Sequence, residues 1–198
     1  MPSIKFEKSF SGIICGIDEA GRGPWAGPVV AAAVVLGKRK PRGIDDSKKL
    51  SPEKRTQLFE KIIKTCQYGV GQASVEEIDR LNILQATKLA MSRAYEALNV
   101  VCDIALIDGN QLPSLPCKMQ YVIKGDAISY SIAAASIIAK VVRDGILREL
   151  HQEFPHYGWA SNKGYGTADH QQGLVKYGTS PHHRRSYAPI RAHLERAV

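Results

Sequence analysis

Residues 13–23 read Ile-Ile-Cys-Gly-Ile-Asp-Glu-Ala-Gly-Arg-Gly, an apolar run that stops on two adjacent carboxylates. The run predicts a buried strand that ends at Asp18, where a carboxylate destabilises the fold unless a positive group or a metal ion compensates its charge. Adjacent residues of an ideal strand face opposite sides of the sheet. Asp18 and Glu19 could therefore share a site only if the backbone left strand geometry between them. We expect the chemistry of the protein at these two acids, with a surface turn as the alternative.

The segments on either side predict a layered α/β fold. The apolar run 28–36 predicts a second strand paired with the first, and Ser51 followed by Pro52 is typical of a helix start. Hydrophobic patterning predicts further strands at 68–75, 104–107 and 119–123 and helices at 52–64, 82–98 and 128–150. This order favours a mixed sheet flanked by helices. The segment from His151 onward contains all six histidines, and we expect a core of residues 1–154 with a small helical and loop appendage at 155–198.

The charge balance favours a polyanionic partner. The chain of 198 residues has 27 lysines and arginines against 19 acids, a net charge of +8 at pH 7. An excess of this kind is typical of proteins that bind nucleic acid. Basic residues cluster at 38–42, 48–49 and 182–185. Each cluster could also be a solvated loop, but together they indicate a surface for a phosphate backbone.

Two classes of protein are disfavoured by the same sequence. The longest wholly apolar run, residues 29–36, is too short to span a bilayer. The four cysteines form no Cys-x-x-Cys pair, which argues against a zinc ribbon or a disulfide framework. We therefore expect a cytoplasmic protein with reduced thiols and no membrane partner.

Four acids share one placement, at or just after the end of a predicted strand: Asp18, Glu19, Asp108 and Asp126. If those strands are neighbours, the carboxylates meet at one rim, and Mg²⁺ or Mn²⁺ is the natural compensation for their mutual repulsion. Each later acid also has a simpler interpretation, because Asp108 could be a turn residue and Asp126 a helix N-cap. Asp144 follows Lys140 by four residues and is expected to form an ordinary helical pair.

Glycine-flanked motifs suggest contacts with a sugar-phosphate chain. Residues 21–26 formally match the dinucleotide fingerprint G-x-G-x-x-G/A, but prolines and a β-branched run follow where that fingerprint needs a helix. Gly21 and Gly23 instead allow close approach of a backbone, and Arg22 can donate to phosphate. Residues 46–49 offer a hydroxyl and two ammonium groups, and residues 163–167 place Tyr165 between glycines, where it could stack on a nucleotide or simply pack.

Taken in order, these motifs resemble the bacterial ribonuclease HII family, a type 2 ribonuclease H. The matching segments cover nearly the whole chain: Gly-Ile-Asp-Glu-Ala-Gly-Arg-Gly-Pro at 16–24, Asp-Ser-Lys-Lys-Leu at 46–50, Ile-Asp-Gly-Asn at 107–110, Lys-Gly-Asp at 124–126 before the alanine-rich helix, Gly-Tyr-Gly-Thr at 164–167 and His-Arg-Arg-Ser at 183–186. The resemblance implies a ribonuclease H-like fold, a mixed five-stranded sheet flanked by helices with a C-terminal helical portion.

The resemblance also implies an activity and a set of roles. The enzyme would hydrolyse RNA in RNA–DNA hybrids and nick duplex DNA on the 5′ side of a single ribonucleotide, leaving 3′-hydroxyl and 5′-phosphate ends. It would serve ribonucleotide removal in repair and primer removal in replication. The family pattern makes Asp18, Glu19, Asp108 and Asp126 the catalytic ligands of two Mg²⁺ or Mn²⁺ ions. The substrate-binding residues would be Gly21, Arg22, Gly23, Ser47, Lys48, Tyr165, Arg184 and Arg185.

The expected partners are the nucleic-acid substrates, and the protein is expected to be a monomer. Some relatives end in a clamp-binding peptide with paired aromatics, a pattern not seen in residues 191–198. Two other functions stay open. One is a catalytically silent nucleic-acid-binding module whose acids only cap helices. The other is an exonuclease of the Asp-x-Glu type, which the adjacency of Asp18 and Glu19 disfavours.

Overall fold

The computed structural model describes residues 1–196. Residues 197 and 198, the end of the predicted appendage and of the segment considered for a clamp-binding peptide, lie outside the described residues. Within residues 1–196 there are five strands and seven α-helices. In chain order they are β1 (Ile14–Ala20), β2 (Val29–Val35), α1 (Pro52–Thr65), β3 (Gln67–Ala73), α2 (Val75–Leu81), α3 (Ile83–Leu98), β4 (Ile104–Asp108), β5 (Lys118–Val122), α4 (Tyr130–Glu153), α5 (Trp159–Asn162), α6 (Ala168–Tyr177) and α7 (Ala188–Arg196).

The strands form one mixed sheet in the order β3-β2-β1-β4-β5, which confirms the predicted architecture. β2 pairs antiparallel with β1 and β3, whereas β4 lies parallel to β1 and to β5. Ile17 pairs with Ile107 across β1 and β4, so Asp18 and Asp108 follow at neighbouring positions. The two parallel strands therefore end their runs on acids at the same edge of the sheet.

Helices cover both faces of the sheet because β2 is apolar on both sides. Ala31 and Ala33 pack with residues of α3, whereas Ala32 and Val34 pack with residues of α1 and α4. Side chains of a strand alternate between its two faces, so a strand buried on both sides is uniformly apolar. This accounts for the unbroken apolar run that the sequence shows at 29–36.

Two features fix the start of α4 against β1. Gly16 of β1 lies so close to α4 that an added Cβ would be 2.3 Å from the backbone nitrogen of Ile132. The buried Glu7 carboxylate accepts hydrogen bonds from the Ser129 hydroxyl at 2.6 Å and from the Ser131 backbone N–H at 2.8 Å. A carboxylate at a helix N-terminus is favourable because it satisfies free N–H groups and opposes the helix dipole. α4 is thereby held across the end of β1.

The structure corrects three local predictions. β1 continues to Ala20 instead of ending at Asp18, because its pairing with β2 runs through Glu19 and Ala20. β3 ends at Ala73 rather than Val75, since Ser74 caps α2, a helix that the sequence analysis did not predict. The N-cap alternative for Asp126 is wrong, because the Ser129 hydroxyl accepts the Ile132 N–H at the start of α4.

Other local predictions are confirmed. Ser51 caps α1 with Pro52 at the first helical position. Lys140 and Asp144 form the expected helical pair at 2.8 Å. Residues 21–28 contain no helix, which agrees with the rejection of the dinucleotide fingerprint.

The C-terminal helices pack on the sheet-and-helix core. Trp159, Tyr157, Leu174 and Ile190 form an apolar cluster with Leu147 of α4 and with residues of the segment after β1. The division of the chain at residue 155 stays a prediction. No helix within residues 1–196 is both long enough and apolar enough to cross a membrane.

Candidate active site

A cavity of about 370 Å³ opens at the sheet edge where β1 and β4 end. The acids expected from the sequence all line it, namely Asp18, Glu19, Asp108 and Asp126. The neighbouring walls come from the segment after β1, the loop before α1, the buried helix α4 and the loop that carries Tyr165. The sheet topology thus brings four acids from distant parts of the sequence to one concave surface.

Asp18 and Glu19 share this cavity although both remain in strand geometry. Asp18 is buried, and its Oδ1 accepts a hydrogen bond from the Glu19 N–H at 2.7 Å. The Glu19 carboxylate pairs with the Arg22 guanidinium at 3.3 Å. The expected break in the strand between the two acids was wrong, because the cavity lies at the end of the sheet, where residues from either face of β1 can border it.

The environment of Asp18 disfavours its charge. Burial raises the pKa of Asp18 well above its usual range, and the nearby Glu19 and Asp108 carboxylates raise it further, against the effect of a hydrogen bond from Ser136. No lysine or arginine within residues 1–196 forms an ion pair with it. Burial also raises the pKa of Glu19, an effect that the Arg22 charge opposes. A positive charge in the cavity would therefore stabilise the ionised form of Asp18.

The other two acids approach from β4 and from the turn Gly125–Ala127. Asp108 accepts a hydrogen bond from the Gly125 N–H at 2.7 Å, which links the end of β4 to the turn that holds Asp126. Burial raises the pKa of Asp126, with further contributions from Asp108 and Asp46 and an opposing one from Lys48. Asp108 is thus more than a turn residue, because it closes strand β4 and anchors the next acid.

The chemistry of these donors fits a hard divalent cation. All four are carboxylates, the ligands that Mg²⁺ and Mn²⁺ prefer, and Asp18 is a buried acid without a cationic partner in the described part of the chain. Across residues 1–196, however, no three acidic, histidine or cysteine side chains lie close enough together to hold a metal ion as they stand. Two of the four carboxylates have other partners, since Glu19 pairs with Arg22 and Asp108 accepts from the Gly125 N–H.

Gly21 lines the wall beside the acids, and Gly23 lies next to Tyr165. Gly21 has φ of +99°, a backbone conformation that favours glycine. An added Cβ on Gly23 would lie 3.3 Å from Cε1 of Tyr165, so this glycine and the tyrosine ring are in contact. Tyr165 is 50% exposed, and Arg22 has a half-exposed side chain. The two glycine-flanked motifs, separate in sequence, therefore border one another in the cavity.

Two buried arginines hold the loop 21–28 from behind. Arg184 donates to the carbonyl oxygens of Gly21 at 2.6 Å, Arg22 at 3.0 Å and Gly27 at 2.9 Å. Arg143 donates to the carbonyls of Ala26, Pro28 and Lys163. Burial lowers the pKa of both guanidinium groups, that of Arg143 to about 10, so both remain charged at neutral pH. Their positive charges lie behind a loop whose front borders the acids.

The other residues predicted to bind substrate lie in different parts of the structure. Lys48 and Ser47 both line the cavity, and the buried Ser47 hydroxyl exchanges a hydrogen bond with Ser136 at 2.9 Å. Arg184 lies behind the loop 21–28 with its side chain fully buried. Arg185 is exposed outside this cavity, where its backbone N–H donates to Asp79 at 2.9 Å.

Sequence reasoning missed three residues that line the cavity, Ser136, Lys140 and Arg143, all from α4. Ser136 did carry a signal, because it is the one polar residue in the otherwise apolar stretch 132–139 of α4. Arg143 carried no comparable signal. Two of its three carbonyl partners, Pro28 and Ala26, lie 115 and 117 positions away in the sequence, and Lys163 lies 20 positions away.

Comparison with known proteins gives a consistent result. The family model described as Ribonuclease HII matches residues 15–190. Ribonuclease HII of Paramagnetospirillum magneticum is 55% identical over 195 residues, covering 96% of this chain and 97% of that protein.

Solved structures agree in fold. The crystal structure of ribonuclease H2 from Pyrococcus horikoshii superposes with a TM-score of 0.79 at 27% identity, covering 92% of this chain and 97% of the other. Ribonuclease HII from Archaeoglobus fulgidus, solved as a complex with PCNA, gives a TM-score of 0.73 at 28% identity, with 88% and 95% covered. The expected ribonuclease H-like fold is confirmed by these likenesses.

Proposed function

The chain belongs to the ribonuclease HII family, a family of endoribonucleases, and from that membership we propose that it cleaves duplex nucleic acid at ribonucleotides with the help of divalent metal ions. Ribonuclease H activity on RNA–DNA hybrids is what the family implies. The proposal adds two finer points: the enzyme nicks on the 5′ side of a single ribonucleotide embedded in duplex DNA, and it requires Mg²⁺ or Mn²⁺, with two ions in the site.

One observation carries the proposal. The cavity that collects the four acids is also bordered by Gly21, Arg22 and Tyr165. A hydrolytic site and a surface suited to reading a sugar-phosphate chain therefore meet in one place. A silent binding module would not need a buried, uncompensated Asp18 there, because such an acid lowers stability and repels the phosphate of a ligand.

Asp18, Glu19, Asp108 and Asp126 are the residues that would hold the metal ions. When bound, the ions supply activation of the attacking water and stabilisation of the leaving 3′-oxygen. The chain's own residues orient the carboxylates and contact the substrate. The Glu19 N–H orients the Asp18 carboxylate, and the Gly125 N–H orients Asp108. The cavity wall from α4 places Lys140 beside the acids, where its ammonium group can meet phosphate.

Discrimination of RNA from DNA requires a contact with the 2′-hydroxyl. Gly21 and Gly23 allow the backbone of the loop 21–28 to approach the ribose closely, and Arg22 donates to the adjoining phosphate. The half-exposed ring of Tyr165 stacks on the sugar at the step from ribonucleotide to DNA. Lys48 and the exposed basic loops add affinity by neutralising phosphates, and Ser47 and Arg185 remain proposed contacts. Arg184 acts through the loop that it supports.

The remaining expectations concern context. We expect a monomer that acts in the cytoplasm on ribonucleotides left in DNA by repair or replication. The Archaeoglobus fulgidus relative was solved with PCNA. For this chain, clamp binding is not expected from residues 191–198, and only residues up to 196 of that segment are described.

Incubation of the protein with end-labelled duplex DNA that carries one ribonucleotide tests the proposal. We expect a single nick 5′ of the ribonucleotide with Mg²⁺ or Mn²⁺ and none after chelation. Duplex DNA of the same sequence without the ribonucleotide serves as the control substrate. Binding without a nick under any metal condition would identify a silent binding module instead. Stepwise release of mononucleotides from an end would identify an exonuclease.

A further inference from the structure

Two buried histidines from the C-terminal part of the chain are in direct contact. His170 of α6 and His183 are 0% and 1% exposed, and their Nε2 atoms are 2.9 Å apart. Burial lowers the pKa of both imidazoles, that of His183 to about 3, so each ring is neutral at pH 7 and carries one proton. At this distance one Nε2 must donate and the other must accept, because two bare or two protonated nitrogens would repel each other.

The surroundings decide which ring donates. The backbone N–H of Ser180 points at Nδ1 of His183 from 2.9 Å, and an amide N–H can only donate. Nδ1 of His183 is therefore bare and its proton is on Nε2, from which it donates to His170. The indole N–H of Trp159 donates to the same nitrogen of His170 at 3.2 Å. The proton of His170 must then be on Nδ1, which lies 2.9 Å from the carbonyl oxygen of Tyr165.

This chain of hydrogen bonds ends on the loop that carries the exposed tyrosine ring. The Tyr165 carbonyl also accepts from the Thr167 N–H at 2.8 Å. The next residue, Gly166, is pressed against Trp25, since an added Cβ would lie 2.1 Å from the indole ring. Trp25 in turn donates its backbone N–H to the Gly164 carbonyl at 2.8 Å. The backbone of Tyr165 is thus fixed between the histidine pair and the loop 21–28.

We propose that His170, oriented by His183, is a positioning residue that holds Tyr165 at the cavity by donating its Nδ1–H to the tyrosine's carbonyl oxygen. The proposal rests on the role of Tyr165 at the ribonucleotide step in the proposed function. The histidine pair touches neither metal ligands nor substrate. It acts by limiting the positions of the Tyr165 ring relative to Gly23, with which the ring is in contact. Without the bond, binding a lone ribonucleotide would have to order the loop at an entropic cost.

The protonation pattern can be tested without any activity. Long-range ¹H–¹⁵N NMR correlations of the imidazole rings at pH 7 distinguish protonated from bare nitrogens, with His170→Asn and His183→Asn used to assign the signals. We expect the Nε2–H tautomer for His183 and the Nδ1–H tautomer for His170. An Nε2–H tautomer of His170, or a doubly protonated ring at either position, would overturn the proposal.

A matched pair of variants tests the consequence for selectivity. In His170→Asn the side-chain amide occupies the place of Nδ1 and can still donate to Tyr165, whereas in His170→Gln it occupies the place of Nε2 and cannot. The readout is the ratio of cleavage at a lone ribonucleotide to cleavage of a long hybrid, which cancels differences in folded fraction. We expect about a tenfold fall of this ratio in His170→Gln, the effect of one lost hydrogen bond, and at most about a twofold change in His170→Asn.

The Tyr165→Ala variant distinguishes a failure of the positioning role of His170 from a failure of the proposed function. If Tyr165→Ala lowers the ratio and His170→Gln does not, or if both His170 variants lower it equally, the positioning role is wrong while the proposed function stands. If Tyr165→Ala leaves the ratio unchanged, the role of Tyr165 in the proposed function is wrong, and the positioning role falls with it. If the protein cleaves neither substrate, the proposed function itself is wrong.

Discussion

Asp18 is the one buried acid among the four that line the cavity, and its position shows how function and stability oppose each other at a single residue. The sheet is built from apolar strands on both sides of it, and no cation pairs with it in the described chain. A residue that served stability alone would be apolar at this place. The raised pKa of Asp18 reflects this opposition between function and stability.

Asp18→Asn should therefore abolish cleavage without destabilising the protein. Loss of the carboxylate should lower the cleavage rate by about 10²-fold or more, as expected when a charged group that acts on the transition state is removed. Without added metal, the unfolding free energy from urea denaturation should be unchanged or higher, because a repelled buried acid has been replaced by a neutral isostere. Hybrid binding, followed by fluorescence anisotropy, should remain detectable.

The control for this substitution is Glu60→Gln, which neutralises an exposed acid on α1 outside the cavity. It should change neither rate nor stability appreciably. Turnover of Asp18→Asn at the level of the unaltered protein would remove Asp18 from the site, and lost turnover accompanied by lost stability would point to misfolding instead.

Tyr165 offers a second prediction at the residue scale. Its ring is half exposed and touches Gly23, so it is available to a substrate without being needed for the core. Tyr165→Ala should reduce cleavage at a lone ribonucleotide about tenfold more than cleavage of a long hybrid, within the range known for the loss of one stacking contact. Tyr165→Phe keeps the ring and should retain the preference. Parallel single-turnover assays on the two substrates measure it, and equal losses on both substrates in Tyr165→Ala would reject the role.

At the scale of elements, the site depends on a loop without regular structure. The loop 21–28 connects two central strands, and its carbonyl groups point towards Arg143 and Arg184 instead of a neighbouring strand. Backbone carbonyls need partners when they are buried. The two guanidinium groups provide them with several donors each, and in doing so they hold the glycines beside the acids.

Arg184→Met should lower the unfolding free energy by at least about 2 kcal/mol, because it leaves several buried carbonyls without donors. Arg184→Lys should rescue little of this loss, since an ammonium group cannot reproduce the planar set of donors. Urea denaturation measures both. Arg185→Met is the matched control and should change the stability by less than about 0.5 kcal/mol, because its side chain is exposed. A similar small change in Arg184→Met would show that water can replace the guanidinium.

At the scale of elements, features set by local sequence could be predicted, whereas features set by contacts between distant residues could not. Features that depend on local sequence patterns were predictable: the apolar strands, the cap at Ser51 and Pro52, and the acid at the end of β4. Helix α2 was missed because it spans only seven residues and its N-cap, Ser74, lies inside the strand predicted at 68–75. The support of the loop 21–28 was unpredictable for another reason, since Arg184 and Arg22 are 162 positions apart.

At the scale of the whole molecule, burial shifts the pKa values of two groups of residues in opposite directions. In the cavity, burial raises the pKa values of Asp18, Glu19 and Asp126, so the folded protein holds protons on these acids more tightly than the unfolded chain does. In the C-terminal part, burial lowers the pKa values of His170 and His183, and the folded protein excludes protons there. These two groups therefore contribute to the pH dependence of stability with opposite signs.

The contribution of His183 to the pH dependence of stability can be isolated by comparing the unaltered protein with His183→Gln. Its pKa falls from 6.5 to about 3 on folding, so between these values the unfolded state binds a proton that the folded state does not, and stability must fall as the pH falls. The stability advantage of the unaltered protein over His183→Gln should therefore be constant above pH 7 and should shrink below it by up to about 1.4 kcal/mol per pH unit. The acids of the cavity are the same in both proteins, so their contributions cancel in the difference.

Urea denaturation from pH 8 to pH 5 gives the unfolding free energy of each protein as a function of pH. A difference between the two proteins that is independent of pH would mean that His183 is not held neutral in the folded state.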